Sequence, residues 1–311
     1  MSERSIAIIG TGALGGYYGS RLHHAGRMVH FNLHNDFDHV RLHGLCVESP
    51  HGDFSIEKPR ISQSISDLPP CDVVMVCVKT TTRGLLDEAL GGALKDDGVV
   101  VVMQNGLNVE AEAAAIVGPD RVIGGMAFLC SNKIGPGHIR HLDYGLIRLG
   151  QYSVDNEPRG ITSAMRDFAA DLEAAGIDTV LEDDLVLARW KKLVWNVPYN
   201  GLSVVLDTTT DQLMQTPATR ALCEALMGEV VTGAAAFGRT IEPAFVQQML
   251  ENTDKMVAYA PSMLLDYRAG RPMEIEAIHG EPVRAAASQG VDLPLMQCLY
   301  RQLQFIDSRR S

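Results

Sequence analysis

Short apolar runs alternate with helical patterns through the first half of the chain. Ile6–Ile9 is an unbroken apolar run and reads as a strand, followed by a glycine turn over 10–16 and a helical stretch, Tyr17–Ala25, that Gly26 stops. Met28–Leu33 reads as a second strand. Asp72–Val78 is apolar after its opening acid, the pattern of a strand covered on both faces. Thr82–Leu94 has helical spacing, Gly98 introduces the strand Val99–Met103, Leu107–Val117 is helical up to Gly118-Pro119, and Arg121–Phe128 is again a strand. Strand and helix in this rhythm build a parallel sheet with helices on both faces, so the expected class is α/β with a doubly wound parallel sheet.

The texture then changes. Gly135-Pro136-Gly137, set within Ser131–Gly150 between alternating residues, predicts a hairpin, and Ile161–Ala175 and Asp178–Leu181 predict a helix and a short strand. Beyond Glu182 the periodicity is helical over Leu185–Asn200, Arg220–Phe237, Pro243–Tyr259 and Pro282–Ser288. The expectation is two domains, a sheet domain over 1–182 and an all-helical domain over 183–311, as a length of 311 residues suggests.

Composition narrows the function classes. A formal net charge of −11 repels phosphate backbones and argues against nucleic acid as a partner. No apolar run approaches the ~20 residues of a membrane helix, and Met1-Ser2-Glu3-Arg4 leads straight into the first strand with no signal-peptide pattern, so a cytoplasmic protein without membrane attachment is expected. The six cysteines, 46, 71, 77, 130, 223 and 298, form no CxxC pair and read as reduced core thiols. Seven of the ten histidines fall between His23 and His51, but their spacing crosses a strand, a turn and a helix, so they read as solvated and no metal is expected.

Two segments carry chemistry. Gly10-Thr11-Gly12-Ala13-Leu14-Gly15 is a GxGxxG that follows a strand and opens a helix. In that context Gly10 permits the tight turn, Gly12 lets a pyrophosphate approach the backbone, and Gly15 lets helix and strand pack closely, the arrangement of a Rossmann domain for a nicotinamide dinucleotide. At the end of the second strand, Leu33-His34-Asn35-Asp36 offers both a weak cation and an acid, with Arg41 further on, so NADP(H) and NAD(H) both stay open. The second segment is Leu185–Asn200, where Val186, Trp190, Leu193, Val194 and Val197 form an apolar stripe and Lys192, Asn196 and Asn200 a polar one at i, i+4 and i+8. An ammonium and two amides at one-turn spacing can grip a carboxylate and a carbonyl, and Pro198 kinks the helix near Asn200. The alternative is a solvated edge. Asn105-Gly106 and Lys79 each follow a strand, where ligands bind in such sheets, or are an ordinary turn and an exposed lysine. Glu274, between apolar neighbours, is either a buried partner for a lysine or an exposed carboxylate at a helix start.

As an ordered set these residues resemble the ketopantoate reductase family: Gly10-x-Gly12-Ala-Leu-Gly15, Lys79, Asn105-Gly106, Trp190-Lys-Lys192-Leu-x-x-Asn196-x-x-x-Asn200, Ser262-Met-Leu-x-Asp266 and Glu274-Ile. The resemblance runs from Gly10 to about Pro294. It implies a Rossmann domain followed by a helical domain like that of phosphogluconate dehydrogenase, and NADPH-dependent reduction of ketopantoate to pantoate for pantothenate and coenzyme A synthesis. Carried onto matching positions, it implies Lys192 as general acid and Glu274 as the carboxylate that orders the site. Asn105, Asn196, Asn200 and Ser262 would be substrate or nicotinamide contacts. Gly10, Thr11, Gly12, Ala13, Leu14, Gly15, His34, Lys79 and Asn105 would be cofactor contacts. The chain departs from the family pattern at His34, where Arg is frequent, at Glu276 and His279, where Asp and Asn are common, and at Thr208-Thr209-Thr210, where some members carry an Asn. Apolar helical faces in the second domain make a homodimer plausible.

Overall fold

The computed structural model describes residues 4–82 and 84–310; the opening Met1-Ser2-Glu3, Arg83 within the expected helix Thr82–Leu94, and Ser311 lie outside the described residues. The chain divides into two compact units, Met1–Gln104 with Val109–Leu185, and Asn105–Asn108 with Val186–Ser311.

Among the described residues the first unit holds ten strands: β1 Ser5–Ile9, β2 Met28–Asn32, β3 Leu45–Glu48, β4 Phe54–Ile56, β5 Arg60–Ser62, β6 Cys71–Val76, β7 Leu94–Val102, β8 Val122–Gly135, β9 His138–Gln151 and β10 Thr179–Glu182. They form one sheet of order β4-β3-β9-β8-β7-β6-β1-β2-β5, with β10 paired to β9. Its helices are α1 Ala13–His24, α2 Phe37–His43, α3 Leu85–Gly92, α4 Ala111–Val117 and α5 Ser163–Ala174. Alternate side chains of a strand point to opposite faces. Ile6 and Ile8 of β1 accordingly enter a core with Phe31, Met75 and Phe168, while Ala7 and Ile9 enter another with Val74, Val100 and Leu90. Burial on both sides is why these strands are apolar without alternation.

The sheet is not parallel throughout. From β5 through β2, β1, β6 and β7 to β8 every pair is parallel, but β9 runs antiparallel to β8 and β4 antiparallel to β3. The cause is local: the Gly135–Gly137 turn returns the chain directly, whereas a parallel neighbour needs a long crossover. The helix expected from Leu107 begins only at Ala111, because Gly106 and Asn108 take positive φ, 119° and 56°, and the Leu107 N–H donates to the Ala277 carbonyl at 3.0 Å. That bond ties Asn105–Asn108 to the second unit, with which this segment groups.

The second unit comprises α6 Leu185–Val205, α7 Thr210–Gln215, α8 Pro217–Ala236, α9 Pro243–Lys255, α10 Ser262–Arg268, α11 Glu281–Ser288 and α12 Pro294–Ser308, with a π-helical turn, Glu276–Gly280, leading into α11. Proline opens α8, α9 and α12, where its missing N–H has no helical acceptor to serve. Trp190, fully buried, anchors the core with Leu193, Val197, Leu226 and Leu303, and it packs where a Cβ on Gly233 would stand 2.6 Å from the indole. Cys298 is exposed on α12, so the expectation of core thiols fails there; it holds for buried Cys71, Cys130 and Cys223, with Cys46 and Cys77 half-buried. Position 298 lies on the outward face of an amphipathic helix whose inward face is Met296, Leu299 and Leu303. Among the described residues no helix is long and apolar enough to cross a membrane, and no cluster of histidine, cysteine or carboxylate side chains is arranged to hold a metal ion.

Candidate active site

The turn after β1 has the shape its glycines require. Gly10 takes φ +94°, and a Cβ there would press on Val78 at 2.7 Å. A Cβ on Gly15 would stand 2.3 Å from the Gly10 carbonyl and 2.9 Å from Ile8, so only glycine lets α1 seat against β1. At Gly12, by contrast, a Cβ would meet nothing within 4 Å. Nothing in the protein itself crowds position 12, and the open space at this helix start has the form that suits a dinucleotide pyrophosphate. The first turn of α1 carries no acid, and Gly16 is the first residue whose N–H finds its acceptor in the helix, Gly12 O at 2.8 Å. The amides of Ala13, Leu14 and Gly15 therefore face outward without a helical partner, as an anion requires. Thr11 donates its hydroxyl to the Asn32 carbonyl at 2.8 Å, fastening the loop to the end of β2.

Beyond β2 the candidates separate. Asp36 is buried and spent: it accepts from the Gly137 N–H at 2.8 Å and pairs with the Lys133 ammonium at 2.5 Å. His34 is exposed, its ring nitrogen 2.5 Å from Asn35 Oδ1. Arg41 pairs with Asp38 at the surface. Lys79 is half-buried in the turn after β6, its carbonyl accepting from the Thr82 N–H at 3.0 Å.

In the helical unit, Lys192, Asn196 and Asn200 lie one turn apart on α6 and are 8%, 7% and 3% exposed, which removes the solvated-edge alternative. Burial pushes the Lys192 ammonium down to about 7, the Arg189 guanidinium one turn earlier pushes the same way, and the Glu274 carboxylate opposes both. Glu274 is itself buried, which removes the exposed-carboxylate alternative. Asn200 Oδ1 accepts from the Met263 N–H at 3.2 Å and from the Ser262 hydroxyl at 3.5 Å, so Asn200 caps the start of α10 with its oxygen. Ser262 itself is exposed. Asn105 is half-buried on a loop that needs Gly106, since a Cβ there would stand 2.4 Å from the Ala277 carbonyl.

The helical unit thus gathers Lys192, Asn196, Asn200, Ser262, Glu274 and Asn105, while Gly10–Gly15, His34 and Lys79 belong to the sheet unit. Sequence reasoning passed over Arg189, and it met His279 only as a departure from the family pattern, with no role. Arg189 was reachable, being three residues before Lys192 on the same helical face. His279 donates to a backbone carbonyl of another element, which no local pattern signals. Glu276 is exposed and bound to Tyr300 and Arg284, away from these groups.

A lysine that titrates near neutrality both gives and takes a proton at physiological pH. Joined in one chain with a glycine cradle for a dinucleotide, it defines the class: a nicotinamide-dependent oxidoreductase acting on a C=O/CH–OH centre. Residues 6–153 match the family model described as Ketopantoate reductase PanE/ApbA, and residues 184–307 the model described as Ketopantoate reductase PanE/ApbA C terminal. The chain belongs to the ketopantoate reductase family of NAD(P)-dependent oxidoreductases. It is 51% identical over 309 residues to a 2-dehydropantoate 2-reductase from a Nostoc species, covering 99% of this chain and 97% of that one. The crystal structure of 2-dehydropantoate 2-reductase from Geobacter metallireducens superposes with a TM-score of 0.92 at 38% identity, covering 96% of this chain and 99% of that one. That from Methylococcus capsulatus does so at 0.88 and 33% identity, covering 99% and 98%.

Proposed function

We propose that the protein reduces the 2-keto group of ketopantoate to pantoate with NADPH, Lys192 serving as general acid, and so supplies pantothenate synthesis. The observation that carries the reading is the buried Lys192, held near neutral pKa with Glu274 acting on it.

When bound on the glycine loop, the dinucleotide supplies the hydride. As the substrate C2 is reduced, negative charge builds on its oxygen, and the Lys192 ammonium stabilises that charge and hands over its proton. Burial favours the neutral amine that remains, so the surroundings that depress the Lys192 pKa also drive the transfer. Glu274 works the other way and keeps a reactive fraction of the lysine protonated near pH 7. The Asn196 and Asn200 side-chain NH2 groups, with Asn105 and Ser262, are the donors assigned to the substrate carboxylate and hydroxyl. Neutral amides can do this in a chain of net charge −11 because the contact is local.

The end of β2 supports NADPH over NADH. NAD enzymes of this fold place an acid there for the adenosine ribose. Here the acid in reach, Asp36, is buried against Lys133 and Gly137, while His34 stands exposed and able to face a phosphate. The test is absorbance at the reduced-nicotinamide band with ketopantoate and a small panel of other 2-keto acids, each with NADPH and NADH. The expected result is the highest kcat/KM for ketopantoate with NADPH. Cofactor binding without oxidation by any keto acid would defeat the proposal.

A further inference from the structure

The helix that carries the polar stripe, α6, has a weak point between Asn196 and Asn200. Pro198 has no N–H, so the Val194 carbonyl loses its helical donor and the ring crowds the preceding turn. One residue earlier, the Val197 carbonyl takes a hydrogen bond from outside the helix: His279 Nε2 lies 3.1 Å away. A carbonyl only accepts, so Nε2 carries the proton and Nδ1 is the bare nitrogen. The ring is fully buried, Nδ1 has no partner, and burial pushes the pKa down to about 4, which keeps the imidazole a neutral donor. Gly201 makes the room, since a Cβ there would stand 2.7 Å from His279 Nε2 and 2.6 Å from Leu299 Cδ2. Gly201 and His279 thus fit one another.

The elements this bond joins give it a role. Val197 directly follows Asn196 and shares α6 with Lys192 and Asn200. His279 lies five residues after Glu274, inside the π-helical turn Glu276–Gly280. The same turn contributes the Ala277 carbonyl that holds the Leu107 N–H and with it the Asn105 loop. Segment 274–280 therefore carries Glu274 by sequence, the Asn105 loop through Ala277, and α6 through His279. A π turn shifts the side chains after it around the helix relative to an α-helical path, and such turns recur at functional sites.

We propose that His279 is a positioning residue for the reductase site: its hydrogen bond to Val197 sets α6 against segment 274–280 and so fixes Lys192 and Asn196 relative to Glu274. The inference rests on the roles given above to Lys192 and Glu274.

Three full-length proteins are compared: wild type, His279→Leu, which removes the donor, and His279→Gln, whose amide NH2 can replace Nε2–H. With ¹³C-lysine labelling, the Lys192 Cε resonance, assigned through Lys192→Met, is titrated by NMR without substrate. In His279→Leu its midpoint should move by about half a pH unit or more, while His279→Gln keeps the wild-type midpoint. In turnover, His279→Leu should lose about tenfold or more in kcat at unchanged NADPH affinity, and His279→Gln should recover most of it. A His279→Leu protein with wild-type midpoint and kcat overturns the proposal. So does a His279→Gln protein as impaired as His279→Leu, because only shape would then matter. If His279→Leu does not fold, His279→Asn, whose shorter amide stops short of Val197, takes its place. Absence of ketopantoate turnover in the wild type would defeat the proposed function, while the substrate-free titration would still decide the role of His279.

Discussion

Replacing Lys192 by methionine should abolish most turnover and at the same time stabilise the helical unit. The two side chains are similar in length, so packing is nearly conserved, and what changes is the burden of a buried amine. The gap between 10.5 and about 7 corresponds to about 5 kcal/mol against the folded ammonium, at about 1.4 kcal/mol per pH unit. The attraction of Glu274 is already inside that figure. In the unfolded chain the lysine keeps its proton to about pH 10.5, whereas in the folded chain it releases it near 7. The unfolded state binds more protons between these values, so wild-type stability climbs as pH rises through that window and the full cost is felt below pH 7. Allowing about 1–2 kcal/mol for hydrogen bonds lost with the amine, Lys192→Met should gain about 2–3 kcal/mol at pH 7, and the gain should shrink toward pH 10. Both tryptophans, Trp190 and Trp195, lie on α6, so urea unfolding followed by their fluorescence reports this unit specifically. Turnover should fall by about 10²–10⁴-fold. A variant less stable than wild type at pH 7, or a stability difference that does not narrow with pH, would refute the burial argument. Turnover close to wild type would remove Lys192 from proton transfer.

In the reductive direction kcat/KM should decline above about pH 7 as Lys192 loses its proton, and Glu274→Gln, which removes the charge favouring the ammonium, should move that limb to lower pH; a limb that stays or moves up contradicts the coupling. Gly12→Val should weaken NADPH binding by about tenfold or more with a melting temperature within about 2 °C of wild type, since its side chain enters open space, while Gly15→Ala should lose about 1–3 kcal/mol of stability against the Gly10 carbonyl and Ile8. Equal effects of the two on folding would count against the cradle. His34→Arg should raise NADPH affinity relative to NADH, measured by fluorescence titration, whereas Asp36→Asn should lower stability and leave that ratio alone. Folded-state burial of neutral His279 should make wild-type stability fall as pH drops from about 6.5 to about 4, by up to about 3 kcal/mol, and His279→Leu should flatten that acid limb in the same urea assay.

The strands β1, β6 and β7 and the glycine turn were legible because their signals are local. A run buried on both faces has no polar positions to hide among, and GxGxxG is a contiguous motif whose spacing shows along the chain, although part of what demands its glycines, Val78 against Gly10 and Cys77 against Gly15, comes from the turn after β6. The stripe of Lys192, Asn196 and Asn200 was legible as a helical face. Strands β3, β4 and β5, three or four residues long, are too short to show a period, and α12 was not read although its inward face, Met296, Leu299 and Leu303, is regular.

The α/β class, the dinucleotide-loop motif and the polar residues able to carry the chemistry can all be read along the chain, because periodicity and motif spacing are set by positions a few residues apart. Tertiary structure alone decided whether the α6 stripe was wet or dry, and hence whether its lysine titrates near 10 or near 7. It also spent Asp36 on the β8–β9 turn, drew the Asn105 loop to Ala277, and aimed His279 at a carbonyl 82 residues away in sequence. Desolvation and hydrogen-bond partnership are properties of what surrounds a group in space, and a chain pattern specifies those surroundings only once it is folded.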